Sequence, residues 1–198
     1  ISTLSHTHSD LVVRDENTVP FSVTFTEPMA ISPKISIGSL VTNATMTISP
    51  STNSQTWTYN WNVPSGNDGI VSATVSATDL FGNYYEGTNS LSFTIDNVSP
   101  TITLTENDAD NILLVSESTL FTASVNETVS GVPTMTIETT VGTTNDVLTA
   151  AGADWTYSYT APSNYSGVVS FTVSLLDVAG NISTATKTLT VDSVTASL

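Results

Sequence analysis

The chain repeats its own sequence at an offset of about 100 residues, and this repeat limits the possible folds more than any other feature. Residues 57–83 match residues 155–181 at 14 of 27 positions, far more than chance provides. The offset falls from 100 to 96 along the chain, which indicates small loop deletions between otherwise equivalent strands. We therefore predict two homologous domains, residues 1–97 and 98–198, that meet near Asn97–Pro100.

Within each copy, apolar and polar residues alternate with the two-residue period of half-buried strands, as in Phe21, Val23 and Phe25. Turn residues such as Pro64-Ser65 separate these runs, and no helical period lasts beyond one turn. The pattern predicts an all-β fold of two tandem immunoglobulin-like Greek-key β-sandwiches with about seven strands each. The strands of the first copy are expected near 1–5, 18–26, 33–38, 41–48, 55–62, 70–78 and 90–96.

The charge balance excludes several classes of partner. Three basic residues, Arg14, Lys34 and Lys187, stand against 18 acidic residues, for a formal net charge of −15. Such a chain repels nucleic acid and anionic membrane, whereas divalent cations are natural partners of its surface. Without cysteine there can be no disulfide framework, and no stretch is long enough to insert into a membrane. Because the sequence starts inside a strand-like segment, we expect it to be part of a longer protein.

Four motifs recur in both copies and carry a family resemblance. They are Phe21-x-Val23-x-Phe25-x-Glu27, Trp57-Thr58-Tyr59, Asp79-x-x-Gly82-Asn83 and Phe93-Thr94-Ile95-Asp96, with counterparts at 121–127, 155–157, 177–181 and 189–192. The motifs resemble the bacterial immunoglobulin-like repeats that stand in series in giant surface adhesins, including long adhesins of gliding Bacteroidota. The resemblance implies an extracellular, cell-surface location and neighbouring repeats of the same chain as partners.

An acidic loop is the strongest chemical signal in the sequence. Glu106, Asp108 and Asp110 occupy alternate positions, and Asn111 follows them. Alternate side chains of an extended loop point the same way, and Ca²⁺ takes six to eight oxygen ligands, largely from such groups. The loop is therefore a candidate calcium site, expected at the far pole of the second domain near Asp192. The alternative is an acidic loop that is simply solvated.

The two Asp-x-x-Gly-Asn segments have both a structural and a cation-binding interpretation. As hairpins, they need glycine for a positive φ, and Asp79 and Asp177 can accept N–H groups of their own loops. The alternative gives Asp177 a share in a calcium site between domains, because strand counting brings Asp96 to the same pole.

Aromatic and histidine patterns offer weaker signals. The Trp57/Tyr59/Trp61 stripe is typical of sandwich core, and its alternative is a platform for polysaccharide. His6 and His8 are expected to be an exposed loop pair rather than ligands of a transition metal. Glu27 and Glu127 repeat at a strand end, but each copy holds only one, so a glycosidase pair is not formed.

The sequence thus predicts a non-enzymatic spacer of a long extracellular bacterial surface adhesin, stiffened by calcium. Besides the neighbouring repeats, the adhesin would have another cell or a surface polysaccharide as its partner. The alternative is a carbohydrate-binding module of an adhesin or a secreted hydrolase. Exposed tryptophan rings would favour the module, and buried rings would favour the spacer.

Overall fold

The computed structural model describes residues 3–49, 55–87 and 89–194. Its regular structure consists of β-strands, and the chain divides into two compact units, Ile1–Val98 and Ser99–Leu198. The predicted all-β fold with two immunoglobulin-like sandwiches is confirmed.

The first unit packs two sheets. One sheet has the order β1-β3-β7-β6; the other has the order β2-β10-β8-β4-β5, with β9 paired to the end of β8. The strands are β1 (Thr3–His6), β2 (Val12–Val13), β3 (Thr18–Thr24), β4 (Lys34–Ile37), β5 (Val41–Thr45), β6 (Thr47–Ile48), β7 (Thr56–Asn62), β8 (Gly69–Thr78), β9 (Tyr84–Glu86) and β10 (Leu91–Ile95).

The second unit repeats this arrangement. Its sheets have the orders β11-β13-β17-β16 and β12-β19-β18-β14-β15. The strands are β11 (Ile102–Glu106), β12 (Ile112–Leu114), β13 (Ser118–Val125), β14 (Val129–Thr139), β15 (Gly142–Val147), β16 (Thr149–Ala151), β17 (Asp154–Thr160), β18 (Gly167–Asp177) and β19 (Ile182–Asp192).

Alternating side chains of the facing sheets fill each core. In the first unit, Phe21 and Phe93 meet edge to face, with ring centroids 5.6 Å apart. In the second, the equivalent Phe121 lies 4.4 Å from Phe171, and neither ring is exposed to solvent. Because the sheets bury one face and hydrate the other, the period-two pattern is sufficient to specify these cores.

Two strand predictions need correction, because in both places the chain changes sheets. The first strand of each unit continues, after a loop, as a short segment (β2 or β12) that joins the opposite sheet and pairs in parallel with the last strand. The predicted strand at 41–48 is two strands, β5 and β6, separated by the buried Met46. These changes raise the number of strands above seven per unit.

The chain enters and leaves the second unit at opposite ends. At the entry end, Asn126 and Thr101 share two hydrogen bonds, of 2.7 and 3.4 Å. Nearby, Val129 pairs with Asp177 at the end of β18. The exit strand β19 ends beside Gly167, which begins β18. The unit therefore advances the chain by the length of β18, eleven residues or about 35 Å at the usual rise per residue.

Candidate functional site

The Asp-x-x-Gly-Asn hairpin of the second unit is closed by its own aspartate. Asp177 is 1 % exposed, and its Oδ1 and Oδ2 atoms accept hydrogen bonds from the Asn181 backbone N–H and side-chain Nδ2, each at 2.8 Å. Gly180 has φ of 91°, the left-handed conformation that favours glycine. The predicted capping role is confirmed. An accepting carboxylate oxygen retains a further lone pair, so the cap does not prevent cation binding.

The first unit holds the equivalent hairpin with the same bonds. Asp79 Oδ1 accepts the backbone N–H groups of Phe81 and Asn83 at 2.8 Å, and Oδ2 accepts from Asn83 Nδ2 at 2.7 Å. Gly82 has φ of 87°. The side-chain hydrogen bond from Asn83, together with these N–H groups, holds the pKa of Asp79 below its usual value of 3.8, while burial opposes the shift.

This lowered pKa predicts an acid sensitivity of the first unit. Because the folded pKa lies below the unfolded one, ionised Asp79 stabilises the unit above about pH 3.8, and the stabilisation is lost as the pH falls through the folded value. We expect Asp79→Asn to flatten the dependence of the first unit's unfolding free energy on pH below that point. Urea titrations at a series of acidic pH values measure the unfolding free energy of the first unit at each pH. Equal slopes for the variant and the parent chain would contradict the assignment.

A second carboxylate lies beside Asp177. Glu127, two residues after β13, places a carboxylate oxygen within 4.8 Å of one from Asp177. Two carboxylates this close repel each other unless a cation or water separates them. Hard oxygen donors are the ligands that Ca²⁺ prefers, so the donor set fits calcium.

The first unit places the equivalent carboxylates around one cavity. Glu27 and the buried Asp79 line a cavity of about 120 Å³ together with Phe25, Thr26, Met29, Asn83, Tyr84 and Tyr85. In the sequence alone, Glu27 and Glu127 suggest only a catalytic pair. Their repetition with the hairpin aspartates was the signal that they belong together.

Asp96 ends the first unit with a local cap of its own. Its backbone N–H donates to Val13 O at 2.9 Å, and its Oδ1 atom accepts from Val98 N–H at 3.1 Å. Asp192 ends the second unit in the same way and accepts from Val194 N–H at 3.0 Å. The last strand of each unit therefore delivers one carboxylate to the exit end.

The acidic loop does not lie where the sequence predicted. Glu106 ends β11 and points inward: its side chain is 4 % exposed, and its Oε1 atom lies 3.1 Å from Lys187 Nζ. Lys187 is in the middle of β19, whereas Asp192 is at its end. The loop thus lies along the side of the sandwich, where the chain crosses between sheets, and not at the pole near Asp192.

The remaining loop side chains cap backbone groups. Asp108 Oδ2 and Asp110 Oδ1 both accept from Ile112 N–H, at 3.1 and 3.0 Å. Asn111 turns the chain with φ of 62°, and its carbonyl accepts from Thr190 N–H at 2.9 Å. In the described part of the chain, the carboxylates of Glu106, Asp108 and Asp110 do not form a group with oxygens all within 4.8 Å. The three carboxylates therefore do not converge as the alternate spacing predicted.

The histidines are not an exposed pair, contrary to expectation. His6 belongs to β1, is half-buried, and meets the Phe93 ring edge to face at 5.1 Å. His8 is also half-buried, with Nδ1 3.6 Å from Asp10 Oδ1. Over residues 3–49, 55–87 and 89–194, neither histidine belongs to a cluster of three potential metal ligands.

The aromatic stripe is core, as predicted. Trp57 and Trp61 are 8 % and 2 % exposed, and Tyr59 packs against the same cluster. Trp155, Tyr157 and Tyr159 pack against the second core, and burial raises the pKa of both tyrosines. The buried rings of Trp57 and Trp61 therefore do not form an open platform on which a sugar could stack.

Comparison with known proteins extends the fold assignment. No protein-family model matches the sequence, and neither does any curated protein. Among solved structures, a 1.5-MDa bacterial ice-binding adhesin matches with a TM-score of 0.59 and 19 % identity over 97 % of this chain. A Ca²⁺-stabilized adhesin of an ice-binding Antarctic bacterium matches with a TM-score of 0.60 and 20 % identity over 96 %.

These matches concern the fold. The chain spans 65 % and 48 % of the two solved adhesin chains, respectively. In its described part, the chain has no helix long and apolar enough to span a membrane. The structural neighbours of this pair of immunoglobulin-like sandwiches thus include bacterial adhesins.

Proposed function

We propose that the chain is a non-enzymatic pair of spacer repeats in a long extracellular bacterial surface adhesin. The observation that carries this proposal is the opposite placement of entry and exit in the second unit, which makes each such sandwich add its length to the chain. The same topology recurs in the first unit. The similarity to bacterial adhesin structures supports the proposal.

The surface chemistry supports an extracellular spacer as well. A formal net charge of −15 keeps such repeats soluble and apart from one another and from anionic membranes. The chain has no cysteine, so its cores do not depend on the redox state of their surroundings. Trp57 is buried, and Trp155 is half-buried and packs against the second core, which favours the spacer over a carbohydrate-binding module.

Calcium is the proposed stiffening ligand, and Glu127 and Asp177 are its proposed first ligands. Their oxygens lie within 4.8 Å of each other, as a shared cation requires. Asp96 is the proposed third ligand, because it lies only five residues before Thr101, which is hydrogen-bonded to Asn126 beside Glu127. Bound Ca²⁺ would relieve the repulsion among these carboxylates and fix the linker to the second unit.

Thermal unfolding with and without calcium tests this role. We expect millimolar Ca²⁺ to raise the melting temperature relative to EDTA, since a ligand that binds only the folded state stabilises it, by about 2.7 kcal/mol at 100 times its Kd. Mg²⁺ at the same ionic strength is the control, because it needs a stricter octahedral geometry. If the thermal unfolding curves in Ca²⁺ and EDTA superimpose, the chain does not bind calcium in its folded state. That result would contradict the calcium proposal but not the proposed spacer role.

A further inference from the structure

Two successive backbone N–H groups bind the outgoing chain to side chains of the first unit. Asn97 N–H donates to Asp68 Oδ1 at 2.6 Å, and Val98 N–H donates to Asp96 Oδ1 at 3.1 Å. Asp68 lies directly before β8, and Asp96 lies directly after β10, which pairs with β8. Both acceptors are carboxylates, which form stronger hydrogen bonds than neutral oxygens. The chain therefore leaves the first unit attached to the ends of two paired strands.

The second unit binds its outgoing chain at the equivalent positions. Ser193 N–H donates to Ser166 Oγ at 2.9 Å, and Val194 N–H donates to Asp192 Oδ1 at 3.0 Å. Ser166 lies directly before β18, and Asp192 ends β19, which pairs with β18. The first acceptor changes from a carboxylate to a hydroxyl between the units, whereas the two bound N–H groups stay the same. The repetition indicates that these bonds belong to the repeat and not to one particular loop.

The first unit adds a third bond through the side chain of Asn97. Its Oδ1 atom accepts from Asp15 N–H at 2.8 Å, in the loop between β2 and β3. Asn97 thus joins that loop, the start of β8 and the end of β10. A residue that is hydrogen-bonded through both its backbone and its side chain cannot rotate without breaking these bonds.

The linker has little freedom beyond these bonds. Only Ser99 and Pro100 lie between Val98 and Thr101, and Thr101 shares two hydrogen bonds with Asn126 of the second unit. The proline ring fixes its own φ and disfavours helical conformations of the residue before it. The rotation that remains is therefore confined to a few backbone dihedral angles around Ser99.

We propose that Asp68 and Asn97 are positioning residues, which fix the direction in which the chain leaves the first unit and restrict the linker without any cation. The value of this restriction rests on the proposed spacer function, because a chain of repeats keeps its length only if its joints are stiff. The hydrogen bonds themselves belong to the first unit alone. They can be measured whether or not calcium binds.

Hydrogen exchange measured by NMR on the full chain in EDTA tests the first of these bonds. Asp68→Ala should speed the exchange of the Asn97 amide on the order of tenfold, because this N–H group loses its acceptor. Asp68→Asn retains an Oδ1 acceptor and should keep the exchange close to that of the parent chain. Asp68 is exposed, so neither substitution disturbs the core. Unchanged exchange in Asp68→Ala would overturn the proposal.

Pulsed electron spin resonance in EDTA measures the effect on the linker. Thr42→Cys on the edge strand β5 and Thr144→Cys on the edge strand β15, both at exposed positions, place one spin label on each unit. We expect Asp68→Ala and Asn97→Ala each to broaden the distribution of distances between the labels. Both variants release the outgoing chain from a loop of the first unit, and neither touches the second unit.

Two matched variants complete the experiment. Pro100→Gly frees the linker directly and should broaden the distribution. Ser166→Ala removes the equivalent bond where the chain leaves the second unit, beyond both labels, and should leave the distribution unchanged. The proposal is overturned if Asp68→Ala leaves the width of the distribution unchanged. That result would not affect the spacer role, because the length that each unit adds does not depend on the linker.

Discussion

Replacing Phe171 with alanine should destabilise the second unit by about 3–5 kcal/mol and leave the midpoint of the first unit unchanged. The Phe171 ring is fully buried and packs 4.4 Å from Phe121 and 4.8 Å from Tyr159, measured between ring centroids. Its removal leaves a cavity that these neighbours cannot fill without moving. The effect is large because a unit of about 100 residues has only about 5–15 kcal/mol of total stability.

Hydrogen exchange measured by mass spectrometry across a urea series assigns each transition to its unit. Phe21→Ala is the matched variant, since Phe21 occupies in the first core the position of Phe121 and is 1 % exposed. It should move only the transition of the first unit. If either variant shifted both transitions by the same amount, the two units would share one cooperative core, and the description as independent sandwiches would fail.

Replacing Asp177 with alanine should cost the second unit about 2–3 kcal/mol in EDTA, because two buried hydrogen bonds from Asn181 lose their acceptor. In Ca²⁺ the loss should be larger, since the variant also lacks a proposed cation ligand. The difference between the stability lost in Ca²⁺ and the stability lost in EDTA measures how much of the contribution of Asp177 depends on the cation. Calorimetry of the parent chain and the variant in both buffers provides all four values.

Asp79→Ala is the matched control for this experiment. It removes the same hairpin cap from the first unit and leaves Glu127 and Asp177 in place. We expect a similar loss in EDTA, confined to the first unit, and an unchanged response of the second unit to calcium. If the Asp177 variant loses the same stability in EDTA and in Ca²⁺, Asp177 acts only as a hairpin cap and does not bind the cation.

The repeat and the period-two pattern were enough to predict the fold. Residues such as Phe21 and Phe171 alternate with polar neighbours, and alternation depends only on which face of a strand is buried. The places where the chain changes sheets were not predictable in this way. In the loop before Ile112, local sequence does not reveal which sheet receives β12, because its partner strand β19 is distant in sequence.

The candidate site was predicted only where it depends on local sequence, and not where it depends on contacts between distant parts of the chain. The capping role of Asp177 depends on its own loop, and local sequence motifs predict local hydrogen bonds. The acidic loop failed as a convergent cluster because Glu106 is drawn inward by Lys187, which is 81 residues away. The approach of Glu127 to Asp177 was not predicted, because it depends on the pairing of β14 with β18.

The most direct test of the calcium-stiffened spacer is the distribution of distances between labels on the two units. The chain has no cysteine, so Phe81→Cys and Val141→Cys, at positions 88 % and 82 % exposed, accept one spin label each. We predict a narrower distance distribution by pulsed electron spin resonance in Ca²⁺ than in EDTA, and an equally broad one in both when Asp177 is replaced. Distributions of equal width in the parent chain would contradict the account.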